Sequence, residues 1–307
     1  MKITNRHNLP QTYVDLVHKL VWDPRDADPK RIGVTTLIQN PRIKLLSLAH
    51  WDEIEVDVAD YLWLLLGNSV HYVLSKIDAD KEKSRNRLIE EKIVKEIDGL
   101  TIVGKLDLYE SVDQSIEDYK ITSVWSVRFG DHDDWESQLN PYAWFLQDAG
   151  FPVKKGRVNA ILRDWRKSES FKYDDYPKIP FVSIPVKIWT PDQQLEFIKN
   201  RVEMYKEAMA MPLADLPICS SKERWAKHDA YAIYKGSNKT ASRVLNSEVE
   251  AQKWIIANQE GKTKYNVVKR CGEDTKCLNY CNVNKFCSYW QEKYGGKDAR
   301  QESESTT

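Results

Sequence analysis

Asp107, Asp118 and Lys120 are the residues of this 307-residue chain whose types and spacing could do chemistry. Asp107 lies in Ile102-Val103-Gly104-Lys105-Leu106-Asp107-Leu108-Tyr109. After a polar interruption, Asp118 and Lys120 lie in Ser115-Ile116-Glu117-Asp118-Tyr119-Lys120-Ile121. Both stretches read as strands of one hairpin, which would bring the two aspartates together on one face. Strand side chains alternate, so Asp118 and Lys120 share that face while Glu117 and Tyr119 point away. Two carboxylates a few ångströms apart repel unless something neutralises them. A hard divalent cation does so, and Mg2+ takes one or two carboxylates together with waters and phosphate oxygens. A lysine beside such an ion can orient, or help deprotonate, an attacking water. These are the parts needed to hydrolyse a phosphodiester.

The elements that must position these groups are visible in the pattern. Residues 57–76 carry apolar residues near a helical repeat, with Gly67 as a local weakness. Lys92–Ile97 reads as a strand, Asp98-Gly99 as a tight hairpin turn, and Leu100–Tyr109 and Ser115–Ile121 as two further strands of a meander. A helix is expected over 135–149, ending at Gly150. Strands are expected at Val158–Asp164 and Phe181–Trp189. Thr190-Pro191-Asp192-Gln193 opens a helix that runs to about Met209. Beyond an extended linker, two strands flank Lys235-Gly236-Ser237-Asn238, Ser247-Glu248-Val249-Glu250 opens another helix, and Lys264–Lys269 reads as a strand. The expected fold is α/β: a mixed central sheet flanked by helices, with a C-terminal cysteine-bearing extension. The expected divisions are an N-terminal segment (1–56) packed on the core, a core (57–212), the extension (213–293) and a disordered tail (294–307).

Asp…Asp-x-Lys alone is a weak pattern, and its surroundings add weight. Apolar residues bracket both acids, and acids inside an apolar strand are costly unless paired or metal-bound. Gly104, three residues before Asp107, would let a ligand approach the backbone. Glu91 starts the preceding strand and could supply another oxygen, although Glu90 beside it leaves the register open. His71 lies on the preceding helix. Gln138 and Tyr142, four apart, share a face of the helix that follows. A satisfied helix histidine, a solvated strand end and a core tyrosine are the alternatives for His71, Glu91 and Tyr142.

Gly104-x-x-Asp107, Asp118-x-Lys120 and Gln138-x-x-x-Tyr142 together resemble the PD-(D/E)XK nuclease superfamily. The closer likeness is to its RecB-type exonuclease branch, which includes iron–sulfur nucleases of CRISPR adaptation. The resemblance covers roughly residues 60–165. It implies that Asp107, Asp118 and the backbone carbonyl of Tyr119 hold Mg2+ or Mn2+, with His71 as a further ligand, and that Lys120 positions the water. It further implies that Glu91 is the upstream acid and that Gln138 and Tyr142 shape the site and contact DNA. The implied substrate is single-stranded DNA or duplex ends, in recombination, repair or replication, in a phage or mobile-element setting with a possible helicase or recombinase partner.

Four of five cysteines fall within residues 271–287, as Cys271, Cys277, Cys281 and Cys287; Cys219 lies upstream. Clustering of this kind favours a metal site over disulfides in a reducing compartment. Zinc ribbons favour a CxxC pair, which is missing, and thiolates also suit a [4Fe–4S] cluster. In the iron–sulfur members of the branch, one distant cysteine joins three near the C-terminus, and Cys219, Cys277, Cys281 and Cys287 resemble that plan. The distant cysteine often precedes the catalytic strands, whereas Cys219 follows them, so Cys271 could replace it. Zinc in the same residues is the alternative.

Lysine plus arginine and aspartate plus glutamate both number 46, for a net charge of zero. A packaging protein for nucleic acid would be basic overall, so any nucleic-acid contact here must use a local groove. Arg163, Trp165, Arg166 and Lys167 could grip phosphate and stack on a base, as could a basic wall of Lys235, Lys239 and Arg243; a core tryptophan and a solvated face are the alternatives. No apolar run reaches membrane-spanning length and no secretory leader is visible, so a cytosolic location is expected. Two rival functions remain: a nucleic-acid-binding protein that keeps the nuclease fold without catalysis, and a zinc or iron–sulfur scaffold that recruits partners.

Overall fold

The N-terminal segment folds back on itself. Strand β1 (Lys2–Thr4) leads through helix α1 (Gln11–Leu20), strand β2 (Arg31–Gly33) and helices α2 (Val34–Leu37) and α3 (Pro41–Ala49) to strand β3 (Glu55–Asp57), which pairs in parallel with β1. Asp57 fastens the junction, accepting hydrogen bonds from Thr4 Oγ1 and Arg6 N at 2.8 Å and from Ala59 N at 3.0 Å. Helix α4 (Leu62–Lys76) and three long strands follow: β4 (Arg87–Ile97), β5 (Leu100–Glu110) and β6 (Ser115–Thr122). Then come α5 (Val124–Phe129), α6 (Asp133–Asp148), β7 (Lys155–Leu162), α7 (Lys167–Lys172), β8 (Phe181–Val186) and α8 (Pro191–Met209). The computed structural model describes residues 1–21, 23–26, 28–76, 87–130, 132–259, 261 and 263–295. The chain divides into two compact units, Met1–Leu216 and Pro217–Thr307.

The central sheet of the first unit runs β2-β5-β6-β7-β8, with β4 on β5. It is mixed. β2 is parallel to β5 over Arg31↔Thr101 to Gly33↔Val103, β6 is parallel to β7, and β4, β6 and β8 meet their partners antiparallel. The N-terminal segment thus contributes a strand to the sheet. Asp98 and Gly99 turn β4 into β5 with φ of +47° and +83°, the left-handed pair that a two-residue hairpin requires. Leu106, Tyr109, Ile116, Phe145, Ile198 and Tyr205 lie in the main apolar core. Burying each such side chain contributes about 1.5–3 kcal/mol, so this core holds α6 and α8 against the strands that carry the aspartates.

Helix boundaries follow local chemistry. Thr190 Oγ1 accepts from Gln193 N at 3.3 Å, Gln193 Oε1 accepts from Thr190 N at 3.1 Å, and Pro191 fills the first position of α8. α6 stops before Gly150, whose φ is +88°. The helix expected from residue 57 begins instead with a 3-10 turn at Val58–Tyr61, because Asp57 and Asp60 cap that turn reciprocally. In α4 itself no residue is buried, and six of its large apolar side chains are exposed: Leu62, Trp63, Leu64, Leu66, Tyr72 and Val73.

The second unit is a small antiparallel sheet, β10 (Arg243–Leu245) and β11 (Tyr265–Arg270) on either side of β9 (Ala230–Lys235). Helix α9 (Glu248–Ala257) is capped by Ser247 Oγ, which accepts from Glu250 N at 3.2 Å. Two short helices, α10 (Thr275–Asn279) and α11 (Ser288–Tyr294), carry most of the remaining cysteine-rich segment. Its anchor is Asp274, fully buried, which accepts from Arg224 Nε (3.1 Å), Lys293 Nζ (2.8 Å), Tyr289 Oη (2.8 Å) and Tyr294 Oη (3.1 Å). Nearly all of the tail expected to be disordered lies outside the described residues. Among the described residues no helix is long and apolar enough to cross a membrane.

Candidate active site

The ladder between β5 and β6 is only three pairs long and ends at Leu108↔Glu117. The next positions outward are Asp107 and Asp118. From there β5 is held by β4 and β2, β6 is held by β7, and the two acids stand at the fork. Asp107 Oδ2 accepts from the backbone N–H of Tyr119 at 2.7 Å. Asp118 Oδ1 accepts from Gln138 Nε2 at 3.0 Å, and its Oδ2 lies 2.9 Å from Lys120 Nζ. Lys120 Nζ also donates to Gln138 Oε1 at 2.9 Å. The Gln138 amide therefore ties the acid to the ammonium and fixes both against α6.

One turn further along α6, Tyr142 is buried against β5. A Cβ at Gly104 would lie 2.6 Å from its hydroxyl oxygen, and that oxygen accepts from Lys105 N at 3.2 Å. Gly104 is small to admit this ring; the space expected for an approaching ligand is filled by the protein itself. Glu117 turns away as expected, to Arg157 Nη1 at 3.1 Å and Asn159 Nδ2 at 2.7 Å.

The upstream acid is the main departure from the sequence reading. Glu91 is exposed and borders a separate apolar hollow with Lys92, Phe145 and Phe151. Glu90 is the acid turned into the site. Pairing along β4–β5 lapses between Ile89↔Leu108 and Glu91↔Leu106, opposite Asp107, and Glu90 there has φ +53°. Burial along β5 slips phase at the same level: Leu100, Ile102 and Leu106 are buried on one parity and Tyr109 on the other. A local kink that breaks strict alternation has exchanged the roles of two adjacent glutamates. A left-handed glutamate is strained, and such strain persists where surrounding structure enforces it.

His71, one of the expected ligands, reaches this point from α4. Its Nδ1 is 3.3 Å from Glu90 Oε1 and 3.4 Å from Asp107 Oδ1. Lys105 Nζ pairs with Glu90 from the other side. These groups line an open cavity of about 400 Å3 together with Asn68, Tyr72 and Ser75. Burial, and then the charge of Asp118, push the Asp107 carboxyl up to about 7, against the opposing Tyr119 N–H and His71. Glu90 Oε1 and Asp118 Oδ2 are buried acceptors that meet the His71 imidazole and the Lys120 ammonium as ion-pair neighbours but take no well-aligned hydrogen bond. Among the described residues, His71, Glu90 and Asp107 alone bring three donor atoms of metal-binding type within 4.8 Å of one another. A cation would relieve each of these features, so the residues fit a hard divalent ion.

The candidate binding residues divide. Trp165 is structural: its indole donates to Pro177 O at 2.8 Å and its ring packs on the smaller core of Val124, Ala160, Leu162 and Tyr176. Arg163 is exposed and lies over the Trp63 ring, 4.4 Å from its centroid, a contact that sequence reasoning missed. Lys235, Lys239 and Arg243 are exposed on the β9–β10 hairpin of the second unit.

In that unit, Cys219, Cys277, Cys281 and Cys287 lie near enough to feel one another's charge. Burial pushes the Cys219 thiol up to about 12 and the Cys277 thiol up to about 11. Half-buried neutral thiols close to one another are what a metal would convert to thiolates. No three of these sulfurs come within 4.8 Å of each other, the tight grouping that one tetrahedral ion would impose. Cys271 is exposed at the end of β11.

No family model matches the chain, and no curated protein does. Several solved structures share part of its course, two of them as follows. The protein SSO0001 is 16% identical over 63% of this chain and 83% of its own, with a TM-score of 0.40. A phage related exonuclease from Haemophilus somnus 129PT is 14% identical over 47% of this chain and 69% of its own, with a TM-score of 0.30. Overlaps this distant leave the functional assignment to the site itself.

Proposed function

We propose that the chain is a metal-dependent deoxyribonuclease of the PD-(D/E)XK type, acting as a RecB-like exonuclease on single strands or duplex ends. The observation that carries this reading is the convergence of Asp107, Asp118, Lys120 and Gln138 at the fork of β5 and β6, with His71 and Glu90 alongside. Asp107, Asp118, His71 and the Tyr119 carbonyl would hold Mg2+ or Mn2+, with Glu90 taking the place expected for Glu91. When bound, such an ion polarises the scissile phosphate and lowers the pKa of its water. Lys120, held by Gln138 and Asp118, orients that water and offsets charge developing on the phosphate. Asp107, whose burial beside Asp118 favours the protonated form, would hold the ion only as the carboxylate. Tyr142 keeps α6, and so Gln138, at a fixed height over the strands.

We further propose Cys219, Cys277, Cys281 and Cys287 as ligands of a [4Fe–4S] cluster, with zinc as the alternative. Their mutual proximity and partial burial support a metal site, which would staple the second unit and take no part in hydrolysis.

Incubation with linear and supercoiled DNA in Mn2+ tests the activity. The wild type should degrade linear DNA, and Asp118→Asn and Lys120→Met should not. Tight DNA binding without cleavage by the wild type would instead support the non-catalytic alternative.

A further inference from the structure

Helix α4 carries His71 at the metal end, and eight residues earlier it carries Trp63, about 12 Å away along the axis. Trp63 is 54% exposed, and no residue of α4 is buried. An exposed indole costs solvation, and one roofed by a guanidinium is a preassembled stacking surface. The Arg163 guanidinium lies over that ring, and among the described residues Arg163 has no carboxylate partner. Its location is fixed by the sheet: Arg163 directly follows β7, three residues beyond the Lys120↔Ala160 pair, and its N donates to Thr122 O at the end of β6 at 3.0 Å. Immediately after that strand end, α5 presents two more exposed rings, Trp125 and Phe129, with centroids 5.9 Å apart. The nearby Arg128 is already neutralised by Asp175.

We propose that Trp63 and Arg163, flanked by Trp125 and Phe129, form a base-stacking clamp that grips one polynucleotide strand a few nucleotides from the scissile phosphate. The proposal rests on the nuclease reading of the same site and adds the residues that choose the substrate form. Stacking needs a base with a free face, which a base stacked on both sides inside a duplex lacks. Arg163 adds one backbone-directed charge, and its distance from Lys120 sets where the strand is held relative to the chemistry. The uncovered apolar face of α4 has an evident competing occupant, a second copy of the chain. The cation over the ring and the strand end beside Lys120 favour the polyanion.

Binding of fluorescein-labelled oligo-dT and of a blunt DNA duplex, measured by anisotropy in EDTA on the Lys120→Met background, tests the clamp. Trp63→Ala should weaken oligo-dT binding about tenfold and leave the duplex little changed, while Trp63→Phe, which keeps a ring, should stay within about threefold. Arg163→Ala should lower the slope of log affinity against log salt by about one. Trp63→Ala binding like the parent, an equal loss for oligo-dT and duplex, or a sole effect on self-association by light scattering would each overturn the proposal. Failure of the hydrolysis reading shows separately, as absence of wild-type cleavage with binding still dependent on Trp63.

Discussion

Glu90 stands across from Asp107 at the level where β4–β5 pairing lapses, and the two carboxylates share the His71 imidazole as a neighbour at 3.3 and 3.4 Å. This relationship, rather than a continuous ladder, decides which glutamate faces the cavity. Glu90→Gln should weaken Mn2+ binding by about 10- to 100-fold, as loss of a group that orients a metal ligand, here His71, does. Glu91→Gln should leave binding within about twofold. Calorimetric titration with Mn2+ decides, and the reverse order would show that the kink does not persist in solution.

Gln138 holds Asp118 and Lys120 at once, so the three act as a unit. Lys120→Met and Gln138→Ala should each reduce cleavage strongly, and the double variant should be little worse than Lys120→Met alone. Rates from a single-turnover assay give the cycle. Additive losses would mean that Gln138 acts elsewhere.

Gly104 has no room for a methyl group while Tyr142 occupies its place. Gly104→Ala should lower stability by about 1–3 kcal/mol, the usual cost of overpacking. Shrinking the opposing ring with Tyr142→Leu should recover part of that loss relative to Tyr142→Leu alone. Thermal denaturation of the four proteins tests the coupling, and a neutral Gly104→Ala would refute it.

Asp274 is buried, and burial alone would raise its carboxyl; the Lys293, Tyr289, Arg224 and Tyr294 bonds outweigh burial and hold it at about 2. An acid whose folded value lies below its unfolded one stabilises the fold above the unfolded value and loses that contribution as pH falls through the folded one. Linkage over the interval from 3.8 to about 2 gives roughly 2 kcal/mol. Asp274→Asn should therefore destabilise the protein most at neutral pH, and the gap from wild type should narrow as pH falls from about 4 toward 2. Urea denaturation across that range reads the gap, and a gap independent of pH would exclude an ionic role.

Loss of any one of Cys219, Cys277, Cys281 and Cys287 to serine should strip the second unit of the metal proposed for it, whereas Cys271→Ser should not. Iron, zinc and sulfide content of anaerobically purified protein, with absorbance near ~400 nm, checks both the ligand set and the metal. Full metal in Cys219→Ser with loss in Cys271→Ser would exchange the two assignments.

The meander was legible because Asp98-Gly99 admits few other conformations and because apolar residues recur at strand spacing on both sides. The capping pairs at Thr190 and Ser247 were legible for a similar reason, since their side chains act on backbone only three residues away. The choice of Glu90 over Glu91 was not legible. A kink flips parity at one residue, and alternation assumes that parity never flips. β2 was invisible too: three residues carry no periodicity, and only β5, some seventy residues onward, makes them a strand. Trp165 and Trp63 look alike in sequence, yet one fills the core and the other faces solvent, because their surroundings come from distant parts of the chain.

The brevity of the β5–β6 ladder has a practical corollary. Neither aspartate depends for its placement on the tip that joins their strands, since each strand is clasped by a different outer neighbour. Within the Ser111–Gln114 tip, Asp113 is tied to Arg157 and Gln114 O to Lys154 and Lys155, so the position to use there is Val112, which is 84% exposed. It can accept a fluorophore, an affinity tag or several extra residues while the acids stay in place, which makes it the natural handle for watching this molecule at work.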